Sequence, residues 1–213
     1  MIASVETFRG YVVKQRKGMV HWESLLEEWL LANERYCRII DNDAPFIYTE
    51  RANIGLLAGA AWRCGRVSLE EFQSKKGFKN RPKWNGRADL FMATENVWEL
   101  VEAKMKWLSL LRSSNQVPRV NDTLAKAISD AKKTRGDNSR LTSIGVAFFP
   151  VYLPCSKTQE LNGKIEYVIQ TLLKEANYHC FAWCFPKEIR FWKSENNNFN
   201  PGVIMVASNC NFK

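Results

Sequence analysis

The fold is decided by the stretch GRADLFMATENVWELVEAKMK, Gly86 to Lys106, in which two short apolar runs flank a polar turn. Apolar and polar residues alternate along both runs, and a period of two is typical of β-strands. Glu95 and Asn96, between the runs, can form a two-residue turn. The stretch therefore predicts a β-hairpin.

The turn also predicts which residues of the hairpin face each other. With Glu95 and Asn96 in the turn, the numbers of paired residues add up to 191, as 95 and 96 do. Asp89 then lies directly opposite Glu102 on one face. Lys104 follows Glu102 on that same face, because side chains alternate along a strand.

Two facing acids need a positive group between them. Directly opposed residues have Cβ atoms roughly 5 Å apart, so like charges there repel each other. A divalent cation bound by oxygens at about 2.0 to 2.6 Å would fit the gap, and Lys104 could hold or deprotonate a water beside it. This expectation depends on the register, because a shift of one residue moves Asp89 to the face opposite Glu102.

The spacing of these residues resembles a known signature. Asp89, twelve intervening residues and then Glu102, Ala103 and Lys104 are similar to the D…(D/E)xK motif of the PD-(D/E)xK nuclease superfamily. Ala88 stands where the motif has proline, a position that is loose in many members of that superfamily. The resemblance implies that Asp89, Glu102 and the carbonyl of Ala103 are metal ligands and that Lys104 is the catalytic lysine.

Two helices and a strand are predicted before the hairpin. Helical spacing of apolar residues predicts a scaffold helix over 20–40 and a second helix over about 47–64, which Gly65 ends. Residues 66–76 are interpreted as a strand that leads into the hairpin, with a helix as the alternative.

Glu50 lies at one end of the core-facing stripe of the second predicted helix. It shares its helical phase with Ile54, Leu57 and Ala61. One interpretation is a first-turn glutamate that the helix dipole favours, after Thr49 as the cap. The other is a third metal-binding carboxylate, because many PD-(D/E)xK enzymes resemble this chain in carrying a glutamate on the helix before the sheet.

The elements after the hairpin complete an α/β fold. The predicted elements are a helix from Asn121 or Asp122 to Gly136, a strand over Ser143–Leu153, a helix over Lys164–Ala176, and strands over His179–Phe185, Ile189–Trp192 and Val203–Ala207, with a polar turn, SENNNFNPG, between the last two.

The order over 47–150 is therefore αβββαβ, which resembles the restriction-endonuclease-like core of the PD-(D/E)xK superfamily. We expect a central mixed sheet flanked by helices, in a single domain over 1–213. An N-terminal helical extension over 1–45 and a C-terminal αβ extension over 155–213 complete this domain.

Charge points to a polyanionic partner. The 213 residues carry 31 Lys and Arg against 22 Asp and Glu, a net charge of +9, which suits nucleic acid without requiring it. The span from Lys75 to Arg87 contains no acid and places Phe78 and Trp84 among its basic residues, so it can contact phosphates and stack on bases. A solvated loop and helix-dipole contacts are the alternatives. The predicted phosphate contacts are Lys79, Arg81, Lys83, Arg87, Lys126 and Lys133.

The cysteines favour a reduced cytoplasmic protein. The 6 cysteines form no CxxC pair, and the amino terminus lacks the apolar core of a signal peptide. His179, Cys180 and Cys184 could ligate a metal, but their apolar surroundings favour buried thiols. No apolar run approaches the ~20 residues of a membrane span, so we expect a soluble chain without a membrane partner.

Together these features predict a Mg²⁺-dependent nuclease that hydrolyses phosphodiesters, with Mn²⁺ as a substitute metal. DNA is favoured over RNA, and endonucleolytic cutting in restriction, phage defence, mobile-element or repair settings is compatible with the site. A homodimer or larger complex is also compatible with the sequence. The alternative is a non-catalytic nucleic-acid-binding module on the same fold, in which Glu102 and Lys104 form a structural ion pair.

Overall fold

The computed structural model describes residues 8–14, 18–77, 82–111, 115–135 and 140–211. The strands are β1 (Arg9–Val13), β2 (Val67–Lys76), β3 (Trp84–Ala93), β4 (Trp98–Met105), β5 (Leu108–Ser109), β6 (Leu141–Pro154), β7 (Cys180–Cys184) and β8 (Asn198–Asn209). The helices are α1 (Glu23–Ile39), α2 (Glu50–Arg63), α3 (Gln116–Arg135) and α4 (Leu161–Glu175).

The strands form one mixed sheet in the order β1-β7-β8-β6-β4-β3-β2, with β5 beside β6. The pairs β4–β6 and β5–β6 are parallel, and the other neighbours are antiparallel. Strands from the amino-terminal and carboxy-terminal parts of the chain thus extend the sheet that contains the hairpin. The expected α/β class with a central mixed sheet flanked by helices is confirmed.

Each face of the sheet is covered by two helices. Trp29 of α1 and Leu57 of α2 are buried in one apolar core together with Val101 of β4. Leu124 of α3 and Ile165 of α4 are buried in the core on the other face. Successive side chains of a strand point to opposite faces of the sheet, so the central strands contribute apolar residues to both cores.

The predicted second helix is present as α2, but it begins at Glu50 rather than at about residue 47, while its end before Gly65 is as expected. The Thr49 hydroxyl accepts a hydrogen bond from the Ala52 N–H at 3.2 Å, which caps the first turn of α2. Gly65 follows the helix with a φ of +81°, a conformation that glycine adopts without strain. The predicted scaffold helix and the strand before the hairpin are also present, as α1 and β2.

The start of α3 differs from the prediction. The helix begins at Gln116 rather than at Asn121 or Asp122. Pro118 lies in its first turn, where a missing N–H costs no helical hydrogen bond. The side chain of Asn121 accepts a hydrogen bond from the Asn177 N–H at 2.8 Å instead of capping its own helix. A good cap residue was therefore mistaken for the helix start.

The predicted strand over 189–192 was wrong, and the strand after it is longer than expected. The Trp192 N–H donates to the Ile189 carbonyl at 2.9 Å within a turn. Ile189 is buried there without strand pairing, so a short apolar run did not indicate a strand. β8 begins at Asn198, inside the predicted polar turn, because the end of the long β6 pairs with it.

The apolar surroundings of Cys180 and Cys184 predicted buried thiols, and the structure buries both. Cys180 and Cys184 are free thiols buried in β7, and burial raises the pKa of each. In the described ranges, no three His, Cys, Asp or Glu side chains form a group that could hold a metal ion. None of the helices in these ranges is long and apolar enough to cross a membrane.

Gly145 allows α3 to lie close to the sheet beside the hairpin. It pairs with Glu102 in the β4–β6 ladder. A Cβ atom at this position would lie 2.6 Å from the backbone nitrogen of Ile128 in α3. Only glycine fits this approach without a shift of the helix, and the approach holds the carboxyl-terminal part of α3 over β4.

We expect Gly145→Ala to destabilise the fold by about 1–3 kcal/mol, as overpacking of a tight contact does. Urea unfolding measures the change. Gly163→Ala is the matched control, because a Cβ atom at Gly163 would have no neighbour within 4 Å. In α4 this control should raise stability by up to about 1 kcal/mol. Equal effects of the two substitutions would contradict the close packing of α3.

Candidate active site

The register of the hairpin is the predicted one. Four pairs, from Ala93 with Trp98 to Leu90 with Val101, keep the sum of 191. The Thr94 N–H donates to the Val97 carbonyl at 2.9 Å and closes the turn. Asp89 and Glu102, the next residues beyond the last pair, therefore lie on one face.

Beyond that last pair, β3 and β4 are linked by a side chain instead of the backbone. Oδ2 of Asp89 accepts a hydrogen bond from the Ala103 N–H at 2.8 Å. In a strand, the N–H and C=O of one residue point toward the same neighbouring strand. The Ala103 carbonyl therefore also points toward β3, beside the Asp89 carboxylate.

The ladder on the other side of Asp89 is interrupted as well. Glu70 pairs with Leu90, and Phe72 pairs with Ala88, but Glu71 between them has a φ of +51°. A positive φ is rare for a residue other than glycine, and such strain often marks functional sites. Asp89 thus lies at a break in the pairing with both of its neighbouring strands.

The carboxylate of Glu102 is buried and already has partners. Lys76 Nζ lies 2.8 Å from its Oε1, and the Thr134 hydroxyl donates to the same oxygen at 2.6 Å. Burial raises the pKa of Glu102 and the charge of Asp89 raises it further, while the bonds from Lys76 and Thr134 lower it. In this structure the positive group expected beside the two acids is the ammonium of Lys76.

Lys104 is held by α3. Its Nζ lies 3.0 Å from Oδ2 of Asp130, and Lys133 Nζ lies 2.9 Å from the other oxygen of that carboxylate. Burial lowers the pKa of Lys104, but the hydrogen bond to Asp130 and the charges of Asp130, Glu50 and Asp89 outweigh it, so the net pKa is raised. The lysine therefore lies among three carboxylates.

The binding-module alternative predicted an ion pair between Glu102 and Lys104, and this prediction was wrong. Glu102 pairs with Lys76 and Lys104 pairs with Asp130. Both side chains face α3, and their ion-pair partners come from that helix and from β2. Sequence reasoning missed Lys76, Asp130 and Thr134 as parts of the site.

Glu50 lies near the hairpin from the other side. It is the first residue of α2 and follows the Thr49 cap, as one interpretation expected. Burial raises its pKa, the charge of Lys104 lowers it, and the charge of Asp89 raises it. The structure thus brings Glu50 within electrostatic range of Lys104 and Asp89.

The candidate metal ligands at this site are oxygen atoms, the ligand type that suits Mg²⁺ and Mn²⁺. The candidate donors are the carboxylates of Asp89 and Glu102 and the carbonyl of Ala103, with Glu50 nearby. Mg²⁺ is usually held by one or two carboxylates and keeps several waters, so three acidic side chains are not required. A cation bound to Glu102 would compete with the ammonium of Lys76.

The predicted phosphate contacts occupy different settings. Lys79 and Arg81 lie outside the described residues, and Lys83 is exposed. Arg87 is exposed, and its guanidinium lies 3.0 Å from the carboxylate of Glu71. This basic residue of the acid-free stretch therefore forms an ion pair with an acid of β2. Lys126 and Lys133 lie on α3, the helix that holds Lys104 through Asp130. Lys126 is exposed, whereas Lys133 pairs with Asp130.

No protein-family model, curated protein or solved structure matches this chain. The geometry of the hairpin and the residues around it therefore carry the functional argument. The strongest features are the break in the sheet at Asp89, the buried Glu102 and the half-buried Lys104 on one face.

Proposed function

We propose that this protein is a Mg²⁺-dependent nuclease that hydrolyses phosphodiester bonds, with DNA favoured over RNA. The observation that carries the proposal is the register of the hairpin, which places Asp89 and Glu102 on one face and Lys104 beside them. The order α2-β2-β3-β4-α3-β6, with the two-residue β5 between β4 and α3, parallels the αβββαβ core of the PD-(D/E)xK superfamily and supports the same proposal. The net charge of +9 suits a polyanionic substrate.

The acids and one backbone carbonyl would hold the metal. Asp89, Glu102 and Ala103 are its proposed ligands, and Glu50 is a further carboxylate within electrostatic range. The bound metal would neutralise charge on the phosphate and lower the pKa of a water. Lys76 and Thr134 fix the orientation of Glu102 through their bonds to Oε1.

Lys104 acts on the attacking water in this proposal. Its ammonium can donate a hydrogen bond that orients the water, and its neutral amine can accept the proton. Asp130 is a positioning residue, because its carboxylate holds Nζ of Lys104 at 3.0 Å. The second bond of Asp130, to Lys133, fixes that carboxylate on α3.

A non-catalytic nucleic-acid-binding module is the second candidate. The bond between Lys76 and Glu102 favours it, because an ammonium on that carboxylate forms a complete ion pair without metal. In this function the basic residues of α3 and of the stretch before β3 would bind the nucleic-acid backbone, and the acids would stabilise the hairpin.

One experiment separates the two functions. Supercoiled, linear and single-stranded DNA and RNA are incubated with the protein in Mg²⁺ or in EDTA. Cleavage in Mg²⁺ alone supports the nuclease and identifies its substrate. Binding without cleavage supports the module, which should also show little Mn²⁺-dependent rise in melting temperature, since only a ligand of the native state stabilises it.

We expect the simultaneous replacement of Lys79, Arg81 and Lys83 by neutral residues to weaken DNA binding and flatten its salt dependence. Each phosphate contact releases condensed counterions, so the log-log slope should fall by up to roughly three units. Titrations across salt concentrations measure the slope.

The control for this prediction removes the same charge elsewhere. Lys157, Lys174 and Lys187 are exposed lysines outside the hairpin and α3. Their joint neutralisation should change the slope less than the loop variant does. Equal slopes for the two variants would show that the loop makes no specific phosphate contacts.

A further inference from the structure

A cavity of about 460 Å³ lies at the carboxyl end of β6. Cavities of roughly 300–1,000 Å³ hold small organic ligands. The cavity is lined chiefly by aromatic rings and carboxamides, and we call it the aromatic–amide cavity. Its principal side chains are Trp107, Tyr152, Trp192, Asn196, Asn198 and Asn200.

Chain connectivity links the walls of this cavity to the segments that carry Lys104 and Glu50. Trp107 lies three residues after Lys104, and the lining residue Ile47 lies three residues before Glu50. Three residues span at most about 11 Å between Cα atoms. Tyr152 pairs with Ser109 near the carboxyl end of β6, on the edge where the parallel strands end. Ligands of α/β sheets bind outside this edge.

The rim of the cavity is a braced turn. The Ser194 hydroxyl donates to the Asn198 carbonyl at 2.9 Å, and the Cys155 N–H donates to the Asn197 carbonyl at 3.1 Å. Asn197 itself has a φ of +56°, a conformation that asparagine tolerates better than most residues. The turn therefore holds its neighbouring carboxamides beside the end of β6.

The chemistry of the lining matches a nucleobase. The rings of Trp107 and Tyr152 meet edge to face, with centroids 6.5 Å apart, so they do not stack on each other. Within the described chain, the carboxamide of Asn200 has no hydrogen-bond partner, and a carboxamide offers both a donor and an acceptor. Aromatic rings stack on bases, and asparagine can read a base edge.

The charge of the lining argues against a phosphate. Among the described residues, the cavity is lined by no Lys or Arg, and Glu195 contributes an acid. A phosphate would be repelled here, whereas a carboxylate can accept a hydrogen bond from the amino group of a base.

We propose that the aromatic–amide cavity binds one unpaired nucleobase of the substrate. This inference rests on the proposed nuclease function. The Cα atoms of Trp107 and Lys104 are at most about 11 Å apart, a span of about three nucleotides at 3.4 Å each along a strand. Binding an unpaired base requires least work in single-stranded or distorted DNA, so such DNA is the substrate class that the cavity selects.

The test uses binding in EDTA, so that its result does not depend on cleavage. A short labelled strand in which every position but one is abasic is compared with a fully abasic strand. The wild-type protein should bind the strand with one base about 5- to 150-fold more tightly, the range that stacking of one base on an aromatic ring gives. Equal affinities would overturn the proposal.

Two variants test whether the base binds in the aromatic–amide cavity. Trp107→Ala should lose most of the preference for the strand with one base. Asn200→Ala should lose the discrimination among the four bases while it keeps the stacking preference. Trp62→Ala is the matched control, since Trp62 is 59% exposed on α2 and does not line the cavity. Melting temperatures establish that each variant is folded.

Failure of the cavity proposal is distinguishable from failure of the nuclease proposal. If Trp107→Ala and Asn200→Ala both keep the wild-type preferences, the base does not bind here, whether or not the protein cuts. If the preferences vanish in these variants and Mg²⁺-dependent cleavage is absent, the cavity proposal stands as a property of a binding module.

Discussion

Asp89→Ala is expected to abolish Mg²⁺-dependent cleavage while the protein remains folded. The substitution removes one proposed metal ligand and the acceptor of the Ala103 N–H bond. A metal supplies several kcal/mol of transition-state stabilisation, and each 1.36 kcal/mol is a factor of ten, so the rate should fall by at least about 100-fold. Initial cleavage rates in Mg²⁺ measure the loss.

Glu102, the second acid of the proposed site, needs a more conservative substitution than alanine. Repulsion between facing acids would predict that removing either one raises stability. In the structure, Glu102→Ala would instead leave Lys76 and Thr134 without their acceptor, which costs about 1–3 kcal/mol. Glu102→Gln keeps an oxygen at that position and removes the charge. We expect this variant to fold and to lose cleavage as Asp89→Ala does.

Thermal unfolding with and without Mn²⁺ completes this experiment. The wild-type melting temperature should rise with Mn²⁺, and the rise should shrink in both variants, because ligand binding to the native state is linked to stability. Undiminished Mg²⁺-dependent cleavage by folded Asp89→Ala or Glu102→Gln protein would remove these residues from the proposed site.

Lys104→Ala is expected to lose turnover far more than it loses affinity for metal or DNA. A group that acts on the attacking water contributes chiefly in the transition state. Lys104→Arg should not restore the rate, because the broad planar guanidinium differs in reach and does not give up its proton. A contribution typical of acid–base catalysis predicts a loss of about 10²–10⁴-fold in rate.

A purely structural role for this lysine predicts a different pattern. Lys104 would then only hold Asp130, so the alanine variant would lose thermal stability and the arginine variant would recover it. Lys106→Ala is the matched control, because Lys106 is exposed two residues further along the chain. Cleavage rate, Mn²⁺ affinity and melting temperature are measured for all three variants. Near-normal turnover in folded Lys104→Ala protein would end the catalytic interpretation.

Local sequence determined the hairpin and the placement of its acids. A two-residue turn fixes the register, and strict alternation then places Asp89, Glu102 and Lys104 on one face, as the structure has them. Helical phase and the Thr49 cap likewise placed Glu50 at the start of α2. These features were predictable because they depend on residues within one or two turns of the chain.

Local signals failed where several structures satisfy the same pattern. Asn121 is a good cap residue, but it lies inside α3 and binds the backbone of Asn177. Ile189 is apolar and buried, yet it lies in a turn rather than a strand. In both cases, a contact made after folding gave the side chain a role other than the one its local sequence suggested.

Only the tertiary structure decided the partners of the site. Lys76 and Thr134 reach Glu102 from β2 and α3, and Asp130 reaches Lys104 from the same helix. These contacts depend on how closely α3 packs over Gly145, which sequence periodicity does not encode.

The aromatic–amide cavity also depends on tertiary structure. Its walls come from the residues before α2, the segment after β4, the end of β6 and the turn before β8. Periodicity and capping act over a few residues, so the sequence alone determined the elements and their faces. The meeting of these distant segments depends on packing and sheet order, and therefore only the folded chain decided it.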